Sequence, residues 1–281
     1  MLKKIILILV LTYSFSSIDV VTTILPLTDF VEKIGGSHVN VITLIPPGAN
    51  PHSYEPSPKQ LQQVSNAKLI VMIGADFQFE TIWLPKILKL NKQIQGCNTS
   101  EGLEKMDTLE KEAGSTSHHY SNIDPHVWLS IENAISMVTR IQDALILVDP
   151  ENAEDYLQNS ILYITELQSL QEELTQLRRE SNQTSFLVFH PAWGYFAKEF
   201  DLEQHAFEVE GKEPSPKKLM SIIKEAKKER INTIFIEPQF NQKAAKTIAR
   251  ELGAKVVEMD PLAKDYIQNM RKVAFAVFGE K

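Results

Sequence analysis

Four side chains with the chemistry of metal ligands stand at well-separated places in the sequence. They are His52, His126, His190 and Asp260. Three imidazoles and one carboxylate suit a first-row divalent ion, above all zinc, which takes four ligands in a tetrahedron; calcium and magnesium favour more oxygen ligands. A proline adjoins each of the four residues and restricts the backbone there. A proline beside a histidine is also ordinary turn chemistry, so a structural role stays open for each residue on this evidence.

The positions of these residues predict how they meet. No local His-x-x-x-His motif joins them, so only the fold can gather them. His52, His190 and Asp260 each stand where an extended apolar run gives way to proline and polar residues, and His126 precedes a long helical pattern. In an open α/β sheet such strand ends form the carboxyl edge, where ligands bind. We therefore expect a metal site in a cleft between two lobes, with one pair of ligands from each lobe.

The rest of the chain alternates short β-branched runs with helical patterns, which is typical of parallel sheets built from βαβ units. Predicted strands cover residues 20–24, 39–44, 69–73, 185–189, 205–209, 233–236 and 255–258. Helices are predicted to begin after the cap residues Ser57, Ser130 and Ser215. The sequence therefore predicts the α/β class, with two (β/α) lobes that have parallel-sheet cores.

One helix is predicted to be far longer than the others. Asp149-Pro150 has the residue types of a helix start, and no glycine or proline occurs from residue 153 to residue 180. A helix of this length spans roughly 40 Å, enough to join two lobes as one rigid element; a short coiled-coil segment in a dimer is the alternative. The predicted division is an N-terminal lobe at residues 18–148, the linking helix at 149–181 and a C-terminal lobe at 182–281.

The first 17 residues have the composition of a secretory signal peptide. Lys3 and Lys4 precede an apolar run at residues 5–11, and the Ser-rich residues 14–17 resemble a cleavage site. The apolar run is too short to span a membrane, and a buried first strand is the alternative. Because residues 1–17 contain no cysteine to carry a lipid, we expect a freely soluble periplasmic protein.

The composition argues against several function classes. The chain has 281 residues, of which 43% are hydrophobic and 23% charged, and its net charge of −7 gives no electrostatic support for nucleic-acid binding. Cys97 is the only cysteine, so neither an intrachain disulfide nor a thiolate metal cluster is available. The signatures of dinucleotide-binding, P-loop, nucleophile-elbow and CxxC proteins are absent from the sequence. His118 and His119 lie in a polar segment predicted to be a surface loop, where weak metal capture and an incidental pair are equally good interpretations.

Six segments of the sequence resemble one family. They are PGANPHSYEPSP (47–58), DPHVWL (124–129), FHPAWGYF (189–196), EVEGKEPSP (208–216), IEPQF (236–240) and MDPL (259–262). In this order they are similar to the zinc- and manganese-uptake solute-binding proteins of ABC transporters, the ZnuA/TroA type. The resemblance implies two (β/α) lobes joined by one long rigid α-helix, with the ion in the interlobe cleft. It also implies that His52, His126, His190 and Asp260 are the ligands of that ion.

The resemblance implies a function and a cargo as well. A protein of this type captures an ion outside the cytoplasmic membrane and delivers it to an ABC-transporter membrane permease, and we expect a monomer without enzymatic activity. His190 and the segment at 208–216 are similar to zinc members, and three imidazoles favour Zn²⁺ over Mn²⁺. The short loop with His118 and His119 departs from the long His-rich insertion that zinc members often carry. Manganese or iron uptake is therefore the alternative cargo.

Two other classes stay open on the sequence. One is an adhesin that keeps the fold, and the other is a metallohydrolase in which Glu237 would be the general base. Glu55 and Glu237 are the remaining polar candidates near the ligand segments. We expect Glu237, at a strand end, either to contact a ligand imidazole or to form a structural ion pair.

Overall fold

A four-stranded parallel sheet forms the core of the N-terminal half in the computed structural model, which describes residues 17–107, 123–207, 216–228, 231, 233–240 and 242–279. Its strands are β1 (Ile18–Thr22), β2 (Val39–Thr43), β3 (Leu69–Met72) and β4 (Gln95–Asn98), in the order β2-β1-β3-β4. The apolar runs of β1 and β3 pair in the middle, where both faces are covered, and the polar β4 lies at an edge.

The C-terminal half contains a second parallel sheet with the same arrangement. Its strands are β5 (Ser185–Val188), β6 (Glu203–Ala206), β7 (Thr233–Ile236) and β8 (Lys255–Glu258), in the order β6-β5-β7-β8. In both sheets the first strand of each half pairs with the second and the third, so the carboxyl ends of all four strands lie at one edge. The two α/β lobes with parallel-sheet cores are thereby confirmed.

Helices cover the sheets, and those predicted to follow Ser57 and Ser130 begin directly after these residues, whereas the predicted cap Ser215 lies outside the described residues. They are α1 (Leu25–Gly35), α2 (Pro58–Val64), α3 (Gln78–Leu90), α4 (Ile131–Val148), α5 (Ala153–Glu180), α6 (Gly194–Glu199), α7 (Pro216–Lys228), α8 (Gln242–Leu252) and α9 (Tyr266–Phe278). Ser57 forms the full capping box of α2 with Gln60, and the Ser130 side chain accepts from the Asn133 N–H group at the start of α4. No helix in these described ranges has the length and hydrophobicity that crossing a membrane requires.

The long helix α5 covers the stretch without glycine or proline and has 28 residues. Its start differs from the prediction, because Pro150–Asn152 form a separate 3-10 turn and Asn152 is the residue before α5. One stripe of α5 is buried against α1, α4 and α9, and this stripe consists of Tyr156, Ser160, Tyr163, Leu167, Leu170 and Leu174. The lobe boundaries at residues 148 and 182 stay a prediction.

Three other features of the fold differ from the predictions. Strand β4 is absent from the predicted strands, because its sequence lacks β-branched residues and only Cys97 of its four side chains is buried. Strand β6 begins at Glu203 rather than His205, and the buried Phe207 follows the strand. The sequence prediction also missed α9, although Met270, Val273 and Val277 have helical spacing and are buried. The predicted His118-His119 loop lies outside the described residues.

Side chains from the two halves share one hydrophobic core, which includes Phe30 of α1 and Phe186 of β5. Hydrogen bonds also cross between the halves beside the cleft. Trp128 Nε1 donates to the Pro261 carbonyl at 2.8 Å, and the Tyr266 hydroxyl donates to the Trp128 carbonyl at 2.8 Å. These buried contacts hold the segment after His126 against the segment after β8.

Candidate metal centre

Three of the four predicted ligand residues meet in the cleft. The ring of His190 lies between the other two imidazoles, with its centre 5.2 Å from that of His126 and 5.4 Å from that of His52. Two imidazoles that bind one tetrahedral ion, each through a nitrogen about 2.0–2.1 Å from it, have ring centres about 5 Å apart. The spacing of both pairs is therefore suitable for a shared ion.

Each histidine comes from a different kind of segment. His52 lies in the irregular loop between β2 and α2, and His190 follows β5 at the carboxyl edge of its sheet. His126 precedes a 3-10 turn at Val127–Leu129 that leads into α4. The three segments converge because the carboxyl edges of the two sheets face the same cleft.

His126 is oriented by the carboxylate of Asp124. Asp124 Oδ1 lies 2.8 Å from His126 Nδ1 and also accepts from the His126 backbone N–H group at 2.9 Å. A carboxylate only accepts, so the ring proton lies on Nδ1 and the lone pair on Nε2. Histidines that bind metals commonly donate their second N–H group to a carboxylate in this way.

His52 has a neutral partner in the equivalent position. Its Nδ1 atom lies 2.7 Å from Gln78 Oε1, at the first residue of α3. An amide oxygen only accepts, so this ring also carries its proton on Nδ1 and its lone pair on Nε2. Its backbone N–H group donates to Asn50 Oδ1 at 2.9 Å, which fixes the local turn.

His190 is the most enclosed of the three imidazoles. Its backbone N–H group donates to Glu237 Oε2 at 3.2 Å, and its ring stacks on Phe240 with centres 4.6 Å apart. Residue exposure is 7% for His190, and His52 is exposed. The cluster is therefore closed on the His190 side and open to solvent on the His52 side.

Asp260 is connected to this cluster through its neighbour in the chain. Its Oδ1 atom accepts from Gln239 Nε2 at 2.6 Å and from the Leu262 N–H group at 2.9 Å. Its neighbour Pro261 is hydrogen-bonded to Trp128, whose ring centre is 5.3 Å from that of His126. Within the described ranges, no three His, Cys, Asp or Glu side chains lie together in an arrangement that could hold a metal ion as it stands.

The sequence prediction missed the partners that orient these side chains. Asp124 stands two positions before His126, and the Asp-Pro-His spacing is a local signal that could have identified it. Gln78 and Gln239 had no such signal, because each meets its partner only through the fold. Glu237 does contact a predicted ligand residue, through the backbone of His190. Glu55 is exposed in the loop that carries His52.

Known proteins share this architecture and sequence. The zinc-binding lipoprotein AdcA of Streptococcus pneumoniae (strain ATCC BAA-255 / R6) is 31% identical over 253 residues, which cover 87% of this chain and 50% of that protein. A crystal structure of ZnuA matches with a TM-score of 0.86 at 36% identity, covering 93% of this chain and 98% of that one. The laminin binding protein Lmb of Streptococcus agalactiae, described as a bifunctional protein with adhesin and metal transporting activity, matches with a TM-score of 0.82 at 26% identity, covering 94% and 98%.

These similarities extend over almost all of the chain, although it spans only about half the length of the first curated relatives, the AdcA proteins. A family model also matches the chain, over residues 20–277. This chain belongs to the ZnuA family, described as zinc-uptake complex component A, periplasmic.

Proposed function

We propose that the protein captures a divalent transition-metal ion, Zn²⁺ first, outside the cytoplasmic membrane and delivers it to the permease of an ABC transporter. The observation that carries this proposal is the convergence of three imidazoles, two of which keep their proton on Nδ1 because an oxygen accepts from it. Family membership and the zinc-binding relatives support the choice of cargo.

The proposed ligands are Nε2 of His52 and His126, the imidazole of His190 and the carboxylate of Asp260. Because no described group of three could hold an ion as it stands, the proposal requires the four donors to move closer together when the ion binds. Three nitrogen donors and one oxygen donor favour zinc over manganese. Four protein ligands fill a tetrahedral site and leave no position for a reactive water, so we propose a binding protein rather than a metallohydrolase.

The first experiment is a titration of metal-stripped protein with Zn²⁺ and with Mn²⁺, each in competition with a chelator. We expect tight zinc binding that manganese does not displace. Comparable or tighter manganese binding would leave the uptake role in place and change the cargo. Absence of tight binding by either ion would contradict the proposal.

The ligand assignment is tested by His126→Ala. We expect the zinc affinity to fall by at least about 100-fold, because one of four donors is lost, while the metal-free protein keeps its circular dichroism spectrum and thermal midpoint. His38→Gln is the matched control. His38 precedes β2, at the end of the N-terminal sheet away from the site, and is hydrogen-bonded to Asp155; the side-chain amide of glutamine can replace that bond. Unchanged zinc affinity in His126→Ala would exclude His126 from the site.

Delivery requires export, and we propose that residues 1–17 direct it. The basic Lys3-Lys4 pair followed by an apolar run supports this role. We further propose that the exported protein acts as a monomer. Cell fractionation tests the export step, light scattering tests the monomer, and zinc-stimulated ATP hydrolysis by the reconstituted permease tests delivery.

A second candidate is adhesion, and one observation favours it. The similar Lmb structure is described as both an adhesin and a metal transporter. Direct binding of the purified protein to immobilised laminin, with and without zinc, tests this candidate. A response no larger than that of an unrelated acidic protein would exclude it.

A further inference from the structure

The turn that joins β3 to α3 has an unusual backbone directly beside His52. Three consecutive residues have positive φ angles, namely Gly74 at 71°, Ala75 at 49° and Asp76 at 59°. Side chains other than glycine adopt this region at a cost of about 1–2 kcal/mol per residue. Such a turn persists only where its surroundings hold it in place.

Gly74 is required at the start of this turn for space as well as for its φ angle. A Cβ atom there would lie 2.1 Å from Asn98 Oδ1, at the last residue of β4, and 2.8 Å from Ser100 Oγ, two residues after it. The turn is therefore pressed against the carboxyl edge of the sheet. This contact limits where the following residues can lie.

Glu80 holds the turn from the other side. Its Oε1 atom accepts from the Ile73 N–H group and from the Thr23 hydroxyl, both at 2.7 Å, and its Oε2 atom accepts from the Gly74 N–H group at 2.8 Å. Its exposure is only 4%, so water cannot replace these bonds. One buried carboxylate thus ties the first turn of α3 to the ends of β1 and β3.

Gln78 is the first residue of α3 and directly follows Phe77. Phe77 is buried and its ring contacts that of Trp128. Its Oε1 atom accepts from His52 Nδ1 at 2.7 Å. The His52 ring also contacts the rings of His190 and Phe240, with centres 5.4 Å and 6.3 Å away, but ring packing does not decide which nitrogen carries the proton. The position of the Gln78 amide depends on the turn, and an acceptor at Nδ1 favours the Nδ1–H form of His52.

We propose that Gln78 and Glu80 are positioning residues of the ion site: Glu80 pins the β3–α3 turn, and Gln78, the first helical residue after that turn, holds His52 as the Nδ1–H tautomer, ready to bind through Nε2. The effect on affinity rests on the proposed function, in which His52 is a ligand. The effect on the tautomer is a property of the metal-free protein. The site is thereby set partly by a turn that contributes no ligand.

The first test measures the His52 tautomer in ¹⁵N-labelled, metal-free protein by two-bond ¹H–¹⁵N correlation at about pH 8, where histidines are neutral. Wild type and Gln78→Glu should show the Nδ1–H form. Gln78→Leu, which has no acceptor, should show a mixture of both tautomers. Gln63→Leu, on the exposed face of α2, is the matched control and should match wild type. A retained Nδ1–H tautomer in Gln78→Leu would overturn the proposal.

The second test measures zinc affinity in the same variants by chelator competition. The zinc affinity of Gln78→Leu should be about 10–100-fold lower than that of wild type, which is the usual effect of removing the partner of a ligand histidine. Gln78→Glu should bind zinc at least as tightly as wild type. Unchanged affinity in Gln78→Leu would contradict the proposal. If wild type bound no zinc, the proposed function would fail, and the tautomer measurement would still decide the role of Gln78.

Glu80 is tested by a double-mutant cycle with His52. Glu80→Gln keeps one acceptor oxygen but presents an amide N–H₂ group to a backbone N–H group, which should loosen the turn and weaken zinc binding. In the His52→Ala background, Glu80→Gln should lower the zinc affinity by less than about twofold, because its effect acts through His52. An equal loss in both backgrounds would show a general structural role and overturn the assignment of Glu80.

Discussion

At the scale of single residues, the two imidazoles with assigned tautomers differ in the group that accepts from Nδ1. Asp124 is a carboxylate only two positions from His126, whereas Gln78 is a neutral amide that reaches His52 from another element. A negative partner stabilises the positive charge that metal binding places on the ring, and an amide does so less. We therefore expect His126 to contribute more binding free energy than His52.

Asp124→Asn separates charge from hydrogen bonding at His126. The amide oxygen can still accept both N–H groups of His126, so the fold should be retained, but the negative charge is lost. We expect zinc affinity to fall by about 10–100-fold in chelator competition. Asp143→Asn, on the exposed face of α4, is the control and should leave affinity unchanged. Equal affinities for wild type and Asp124→Asn would mean that the charge of Asp124 is irrelevant to the ion.

At the scale of elements, one carboxylate joins three helices beside the cleft. Glu199 of α6 accepts from the Ile131 N–H group at 2.7 Å and the Glu132 N–H group at 3.4 Å, both at the start of α4, and from Gln171 Nε2 of α5 at 2.8 Å. A negative group at a helix N-terminus is stabilised by the helix dipole. This contact fixes the start of α4, close to His126, relative to the helix that follows His190.

Glu199→Gln should destabilise the metal-free protein by about 1–3 kcal/mol, because a glutamine has one acceptor oxygen and leaves a partly buried N–H group at the start of α4 without a partner. Urea unfolding followed by circular dichroism measures the change. Glu203→Gln, an exposed change on β6, should have little effect. If the two variants were equally stable, the three-helix contact would not contribute to folding.

At the scale of the whole molecule, buried carboxyl groups sit where elements from both halves meet. Asp29 of α1 accepts from the Tyr163 hydroxyl of α5 at 2.9 Å and from the Tyr266 N–H group of α9 at 3.4 Å. Burial raises the pKa of Asp29 and of Glu199, and it raises the pKa of Glu80 from 4.5 to about 7 against three hydrogen bonds that lower it. The stability of the fold should therefore depend on pH in the acidic to neutral range.

The sign follows from the direction of the shift. A carboxyl group whose pKa is higher in the folded state binds its proton more tightly there, so its contribution is full below the unfolded pKa and is lost as pH rises through the folded pKa. For Glu80 the free energy of unfolding should fall by roughly 3 kcal/mol between about pH 4.5 and pH 7. Urea unfolding of metal-free wild type and Glu80→Gln at several pH values measures the difference. Parallel pH profiles for the two proteins would contradict this prediction.

The sequence by itself determined the features that depend on neighbours along the chain. The caps at Ser57 and Ser130 and the bounds of α5 follow from local hydrogen bonds and helical periodicity, which act within a few residues. The motifs around His52, His126, His190 and Asp260 also identified the family, which the match over residues 20–277 confirms. Elements whose burial signal is weak, such as the edge strand β4, escaped the same reasoning.

Only the tertiary structure decided which side chains meet. Nothing in the local sequence pairs Gln78 with His52 or Gln239 with Asp260, and these contacts arise because strand ends from one sheet edge bring distant segments together. The same packing set the spacing of the two imidazoles on either side of His190 and left His52 as the exposed member of the three. The local sequence thus identifies the candidate ligand residues, whereas the orientation of their side chains depends on contacts between residues far apart in the chain.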